Sequence, residues 1–396
     1  MYFGFLKPKS FEEKYFGNIK KYFVGKRLDN IRLGYVQVIK NSINDSVSKI
    51  EECVNDGGEW GIDVVGGSEM LLLSAGIVYG KHDNITLFRV DPVSGAAGFI
   101  DKSVTDSLDP LVFTSQMRKY PKKLRLENTV EENVLLHGGA VGKYTGSGAF
   151  VYTDDFLCDI EKLWKLCAAG PRGYVHKRSA PQTWNSFSVA VAGMEKLGRR
   201  EQAELLKRKY KVCTYLEELK HLGLVSYEKN SDGSLYAFAY KNSQVRECIV
   251  YAGNLLEQRV YLTCRRFLGH GLCDVKTGVT IEWNQRRMGA NTSDNVGTEN
   301  EIDVLAMRGA LPVFISCKNG RFESEELYKL YSVAERFGTR YAKKILVATD
   351  LEHAVEARNA EYLKARATEM NIEIIDNVHR MSDTEFEKVL RIKLFN

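Results

Sequence analysis

Two acids, a serine and a lysine stand in this chain where the two strands of one hairpin would bring them together. Glu301 and Asp303 lie in Asn300-Glu301-Ile302-Asp303-Val304-Leu305-Ala306-Met307, and Ser316 and Lys318 in Val313-Phe314-Ile315-Ser316-Cys317-Lys318. The Arg-Gly-Ala signal between these β-branched runs reads as a turn, so the runs read as antiparallel strands. With the turn centred on Gly309 to Leu311, Asp303 falls opposite Lys318 and Leu305 opposite Ser316. Glu301, Asp303, Ser316 and Lys318 then share one face, and Ile302, Val304, Val313, Ile315 and Cys317 form the buried one. A carboxylate beside an ammonium suits metal-dependent phosphodiester cleavage. The acid holds a divalent ion that polarises the phosphate, and the lysine positions water or offsets charge on the pentavalent centre. The alternative is an exposed Asp–Lys pair at a strand end, which contributes little.

A second stretch has binding chemistry. Trp60-Gly61-Ile62-Asp63-Val64-Val65 reads as a strand, Gly66-Gly67-Ser68 as a tight turn and Glu69 to Tyr79 as an apolar helix. Gly66 and Gly67 let a ligand approach the backbone, and Ser68 adds a hydroxyl among exposed N–H groups, an anion cradle. The alternative is a plain strand-to-helix turn capped by Ser68. Gly139-Ala140-Val141-Gly142-Lys143-Tyr144-Thr145 is no P-loop, because His137 stands where an upstream glycine is required and Tyr144 replaces Ser/Thr. A glycine-rich hairpin is expected there.

The positioning elements follow from periodicity. From Arg32 to about Val90 the order is strand, helix, strand, helix, strand, which implies a parallel sheet of Rossmann type. The middle third reads as a connector. It has a helix over Asp155 to Ala168, a loop from Pro171 to Pro181, two helices between about Asn185 and Leu222, and a hairpin through Asn230-Ser231-Asp232-Gly233. Helices followed by a two-stranded wing give a winged-helix-like module, with Lys207, Arg208, Lys209 and Lys211 available to hold substrate. A helix from about Tyr251 to Leu268 buries Leu256, Val260, Thr263 and Phe267, with Glu257 at the edge of that stripe. After the strand Val279 to Trp283, the loop Asn284 to Asn300 and the hairpin, a helix carries Leu327, Leu330, Tyr331, Ala334 and Phe337 inward. Ile345 to Thr349 is a strand covered on both faces. A long helix, the strand Ile372 to Ile375 and a helix capped over Ser382 to Glu385 close an α/β core.

Composition sets bounds. The 396 residues suffice for two or three domains with proper cores. No apolar run is long enough to span a bilayer and no signal peptide opens the chain, so a cytoplasmic location and no membrane partner are expected. The eight cysteines are scattered without CxxC spacing, which argues against a zinc site or a disulfide framework. A net charge of +5 does not by itself imply nucleic acid, although Arg118-Lys119-Tyr120-Pro121-Lys122-Lys123-Leu124-Arg125 could track phosphates.

The hairpin resembles the PD-(D/E)XK restriction-endonuclease-like fold, with Asp303 as its acid and Ser316-Cys317-Lys318 in place of the (D/E)XK tripeptide. The departure is Ser316, where that pattern carries a carboxylate. Together with Val65-Gly66-Gly67-Ser68-Glu69, the chain resembles the ancillary nucleases of type III CRISPR systems, in which a CRISPR-associated Rossmann fold (CARF) domain senses a cyclic oligoadenylate. Met1 to Phe5 looks like the end of a strand that such proteins reach after a further amino-terminal segment.

The resemblance implies a sensor over 1–150, a connector over 151–245 and a nuclease over 246–396. Gly66, Gly67, Ser68 and Glu69 would bind the activator, most simply cyclic tetra-adenylate, whose twofold symmetry implies a homodimer. Asp303, Ser316 and Lys318 would be catalytic, with Mn²⁺ or Mg²⁺ held by Asp303. A neutral Ser316 leaves that shell short of charge, so Glu257, Glu301 and Glu326, in that order, are the candidates to complete it. Substrates would be single-stranded DNA or RNA, with nicking of duplex DNA, through phosphate-dominated contacts. The alternative is a ligand-responsive, nucleic-acid-binding regulator with a dead nuclease core.

Overall fold

The computed structural model describes residues 2–5, 16–28, 31–39, 41–65, 67–90, 97–100, 118–119, 127–142, 150–169, 214–233, 235–250, 252–283, 299–319, 322–338, 341–349, 351 and 357–396. They fall in two compact units, Met1–Gly139 with Arg308–Leu311, and Ala140–Met307 with Pro312–Asn396.

In the first unit the order is β1 (Tyr2–Phe5), α1 (Gly17–Gly25), β2 (Tyr35–Val38), α2 (Ile43–Val54), β3 (Trp60–Asp63), α3 (Glu69–Lys81), β4 (Ile85–Val90), β5 (Ala97–Ile100), β6 (Arg118–Lys119) and α4 (Val130–Leu136). Ser42 starts α2 by accepting the Asp45 N–H (3.2 Å). Val47, Ile50 and Val54 recur on one face of α2 and meet Val78 and Tyr79 of α3 over Ile85 and Leu87 of β4. β3 and β4 pair in parallel, as do β1 and β2, which is the expected strand–helix–strand pattern.

The sheet departs from a wholly parallel one. β4, β5 and β6 pair antiparallel, and β1–β2 forms its own two-stranded sheet among the described residues. The reason lies in the connection: residues 91–96 between β4 and β5 are too few for a parallel crossover, which takes a dozen or more. The basic cluster contributes β6, and its residues 120–125 lie outside the described ones.

The second unit runs β7 (Ala140–Val141), α5 (Asp154–Ala169), α6 (Thr214–His221), β8 (Val225–Lys229), β9 (Leu235–Tyr240), α7 (Ser243–Val250), α8 (Ala252–Arg265), β10 (Asp274–Glu282), β11 (Glu299–Arg308), β12 (Leu311–Lys318), α9 (Ser324–Gly338), β13 (Lys343–Ala348), α10 (Ala357–Glu369), β14 (Glu373–Ile375) and α11 (Asp383–Phe395). A mixed six-stranded sheet has the order β14-β13-β12-β11-β10-β7. Its β12, β13 and β14 are parallel because α9 and α10 supply the crossovers.

One core joins Val304, Ala306, Val313, Ile315 and Cys317 of the hairpin to Leu256, Val260 and Cys264 of α8 and to Phe386 and Leu390 of α11. The opposite face is buried too, at Leu305, Met307 and Phe314. A side chain on Gly338 would strike Pro312 (2.6 Å) and Ala342 (2.5 Å), so only glycine lets α9 end this close to β12.

Two expectations change in detail. Ala140–Val141 is an edge strand on β10, paired with Ile281 and Glu282, where a local hairpin was expected. Tyr331, expected inward, is 36% exposed, and Val333 takes the buried position on α9. The Tyr331 ring lies 4.9 Å from the Lys344 ammonium, a contact that suits an aromatic at the edge of a buried face. The β8–β9 wing forms as expected, with Val225 against Tyr240. The loop 171–181, the helical stretch 185–213 with Lys207, Arg208, Lys209 and Lys211, and the loop 284–298 lie outside the described residues. No described helix is long and apolar enough to cross a membrane.

Candidate functional site

The hairpin turn is Gly309–Ala310, with Gly309 at φ +64°, one residue shorter than expected. This changes which side chains meet. Asp303 does not reach Lys318 directly: its Oδ2 accepts the Cys317 backbone N–H (2.6 Å) and the Ser316 hydroxyl (3.2 Å). Lys318 Nζ instead pairs with Glu326 Oε2 at 2.6 Å, and Glu326 Oε1 receives Lys329 at 2.9 Å. Glu326, expected as a metal ligand, is thus a bridge between two ammonium groups. Glu326 heads α9 as anticipated, in the first turn where the helix dipole favours acids.

β10 shapes the acid's surroundings. β10 and β11 pair continuously from Asp274–Met307 to Glu282–Glu299, and Gly278, at φ +60°, stands between the pairs Thr277–Val304 and Val279–Ile302. Thr277 Oγ1 donates to the Asp303 carbonyl (2.9 Å), which fixes the backbone that carries the acid. Reading the strand from Val279 missed both. A Thr-Gly step inside a strand pattern is the signal that marks such a close approach.

The resulting cleft, about 60 Å³, is lined by Glu301, Asp303, Ser316, Lys318, Glu326 and Lys329 among others. That is room for a few waters or one hydrated ion. Lys329 was not anticipated, although its place one turn after Glu326 puts it on the same helical face.

Electrostatics separate these groups. Burial, then the Asp303 and Glu301 carboxylates, push the Glu257 carboxyl up to about 8, against the pull of Lys318. Burial likewise raises Asp303, opposed by the Lys318 charge and the bonds from Cys317 and Ser316. Glu301 is raised by burial and by Asp303. Lys318 is raised as well: burial works against its charge, but Asp303 and Glu326 outweigh it. Glu326 goes the other way, held down by Lys318 and Lys329 despite some burial. Glu257, largely buried, and Glu301, exposed, both feel the Asp303 carboxylate, a setting in which a cation would stabilise the charged forms. Among the described residues, no three His, Cys, Asp or Glu side chains stand close enough together to hold a metal ion.

In the first unit, Gly67 sits at φ +131°, a conformation open to glycine. Ser68 caps α3 through the Leu71 N–H (3.3 Å), and Asp63 Oδ1 accepts the Val65 N–H (2.9 Å). Glu69 occupies the first turn of α3. Gly66 lies outside the described residues.

No family model matches the chain, and no curated protein does. Among the solved structures similar to it are two that match over its whole length. One is protein VC1899 from Vibrio cholerae, with a TM-score of 0.62, 17% identity and 92% of that chain covered. The other is Can2 from Sulfobacillus thermosulfidooxidans in complex with cyclic tetra-adenylate, with a TM-score of 0.62, 14% identity and 92% covered. The chain shares their fold. At such low identity the likeness shows a shared mixed α/β fold and assigns no role to the residues of the cleft.

Proposed function

We propose that this protein is a metal-dependent nuclease of type III CRISPR defence, switched on by cyclic tetra-adenylate and working as a homodimer. The sensor would occupy 1–150, the winged-helix-like connector 151–245 and the PD-(D/E)XK-like nuclease 246–396. The observation that carries this reading is the cleft at the open end of the β11–β12 hairpin, where Glu301, Asp303, Ser316 and Lys318 line one small space and Glu257 lies near enough to feel the Asp303 and Glu301 charges. Structural ion pairs do not crowd acids this way, because each uncompensated carboxylate costs stability.

Asp303, with Glu257, Glu301 or Glu326 completing the shell, would hold Mn²⁺ or Mg²⁺, which supplies a Lewis acid for the scissile phosphate. Lys318 keeps its charge at neutral pH and presents it to the same phosphate. Cys317 and Ser316 hold Asp303 in one rotamer, so the acid is ordered before substrate arrives. Gly67 and Ser68, with Gly66 and Glu69, would take a phosphate of the activator, in keeping with the ligand bound to Can2.

A second reading, a ligand-responsive nucleic-acid-binding regulator with a dead core, is favoured by Ser316 and by the absence of a three-ligand set among the described residues. One incubation separates the two. Purified protein, Mn²⁺ and cyclic tetra-adenylate are mixed with end-labelled single- and double-stranded DNA and RNA. Activator-dependent cleavage supports the nuclease, whereas retarded but intact substrate supports the regulator.

A further inference from the structure

Lys318 and Lys329 reach the cleft from different elements, β12 and α9, and one carboxylate lies between them. Lys318 Nζ stands 2.6 Å from Glu326 Oε2, and Lys329 Nζ stands 2.9 Å from Glu326 Oε1. Each carboxylate oxygen thus serves one ammonium group. Alone, Glu326 and Lys329 would be an ordinary i,i+3 contact on a solvated helix. Lys318 makes the arrangement a different one, because it comes from the strand that also carries Ser316 and its side chain is only 25% exposed. All three groups line the same small space as Asp303, and Lys329 is the least covered of them, at 52%.

The chemistry of the bridge names what can replace it. A carboxylate carries one negative charge on two equivalent oxygens and only accepts hydrogen bonds. The phosphodiester group of a nucleic acid matches it in charge, in its two terminal oxygens and in having nothing to donate. Two ammonium groups set to hold opposite oxygens of the first are set to hold those of the second. A lysine, a compact charge on a flexible stem, follows the small difference in spacing. Magnitude allows the exchange. Ion pairs open to solvent contribute little, so an incoming phosphate has only two weak contacts to displace, whereas breaking a buried pair costs far more. The released carboxylate is also tolerated, since Glu326 lies in the first turn of α9, where the helix dipole favours an acid without either lysine.

We infer that Lys318 and Lys329 form a two-lysine clamp for a backbone phosphate of the nucleic acid strand, and that Glu326 fills the clamp in the free protein as a stand-in for that phosphate. Lys329 is then a binding residue of the site, and Glu326 is an internal competitor of the substrate in place of a ligand to the metal. This deepens the proposed function and rests on the part of it that brings nucleic acid to this cleft. It does not require the strand to be cut.

Binding of a fluorescein-labelled single-stranded DNA, followed by anisotropy in EDTA and without activator, tests it on the full chain and four variants. Glu326→Gln keeps the shape and removes the charge, and is expected to bind about tenfold more tightly than the parent, because two exposed pairs no longer compete. Glu325→Gln removes the same charge one residue away, 3.4 Å from Lys329, and is expected to change affinity by about twofold at most. Lys329→Gln is expected to weaken the Glu326→Gln chain about tenfold and the parent by less, because in the parent Lys329 only exchanges one anion for another. Thermal melts show that all five chains are folded, since none of the three substituted side chains is buried. Parental affinity in Glu326→Gln, an equal gain in Glu325→Gln, a gain that survives the loss of Lys329, or no binding by any of the chains each overturns the inference. A metal ligand at Glu326 would give the first of these outcomes, since EDTA removes the ion. Nothing is cleaved in this assay, so a protein that fails the cleavage test can still pass this one, and one that cleaves can fail it.

Discussion

The turn after β3 and the open end of the β11–β12 hairpin both join chemistry-bearing residues to a strand end, but they differ in what they leave unbalanced. At Gly67–Ser68 the described polar groups are served from within a few residues: Ser68 takes the Leu71 N–H and Asp63 the Val65 N–H. At the hairpin, acids from α8 and β11 and lysines from β12 and α9 are brought together from distant parts of the chain and shift one another's protonation. A locally satisfied turn is stable with or without a ligand. A crowded acid cluster holds free energy that a cation and a phosphate can release, and this is why the second region carries the functional argument more firmly.

The comparison breaks most easily at the hairpin. Asp303→Ala or Lys318→Ala is expected to lower activator-dependent cleavage by about a thousandfold or more, since each removes a charge acting on the reacting phosphate. Dimer mass and activator affinity should be unchanged. Chelation with EDTA should reproduce the Asp303 result. Cleavage at parental rate by either variant would refute the assignment.

At the other region, Gly67→Asp is expected to raise the activator concentration needed for half-maximal cleavage by about a hundredfold. Space is not the cause, since an added Cβ would only touch Leu72 at 3.8 Å. The effect comes from an L-residue forced to φ +131° and from a carboxylate facing a phosphate. Basal cutting should persist. A normal dose response would move the activator elsewhere.

What could be read from the sequence follows the same division. The hairpin, the α8 stripe and the helix-capped strands were legible because period and turn chemistry are local properties, and Leu256, Val260, Thr263 and Phe267 are buried as expected. Two of the site's contacts were not. Sequence spacing put Asp303 opposite Lys318, but a turn one residue shorter, together with Glu326 arriving from the next helix, gave each charge a different partner. The antiparallel turn of β4 into β5 was legible in principle from the length of residues 91–96, but the strand–helix alternation before it dominated the reading. A polar residue's face can be counted from sequence, whereas its partner depends on elements that meet only in the fold.

The acid cluster also makes a prediction in pH. A carboxyl whose folded pKa lies above its unfolded one binds more protons in the folded state between the two values, so stability falls as pH rises through that window. For Glu257 the window runs from the ordinary Glu value to about 8. The parent's thermal midpoint is therefore expected to drop by a few degrees between about pH 5 and pH 8, and Glu257→Gln to flatten that dependence. Mn²⁺ added at the alkaline end should raise the parent's midpoint more than the variant's. If both chains respond alike to pH and to Mn²⁺, Glu257 is no part of the cluster.

The smallest effects sharpen the comparison at Ser68. Its Oγ accepts the Leu71 N–H, which caps α3, yet the hydroxyl hydrogen remains able to donate to a phosphate. Two substitutions separate the roles. Ser68→Ala removes cap and donor together and is expected to cost about 1 kcal/mol of stability, whereas Ser68→Gly removes the donor but costs only a few tenths. If the hydroxyl serves the activator, both variants should lose a similar factor in affinity, on the order of tenfold for a charge-assisted bond, although their thermal midpoints differ. If Ser68 is only a cap, affinity stays at the parental value in Ser68→Gly, and the locally satisfied turn has no direct part in ligand binding. Isothermal titration of each variant with cyclic tetra-adenylate, beside thermal melts, decides between a turn that ends a strand and a turn that also holds a phosphate.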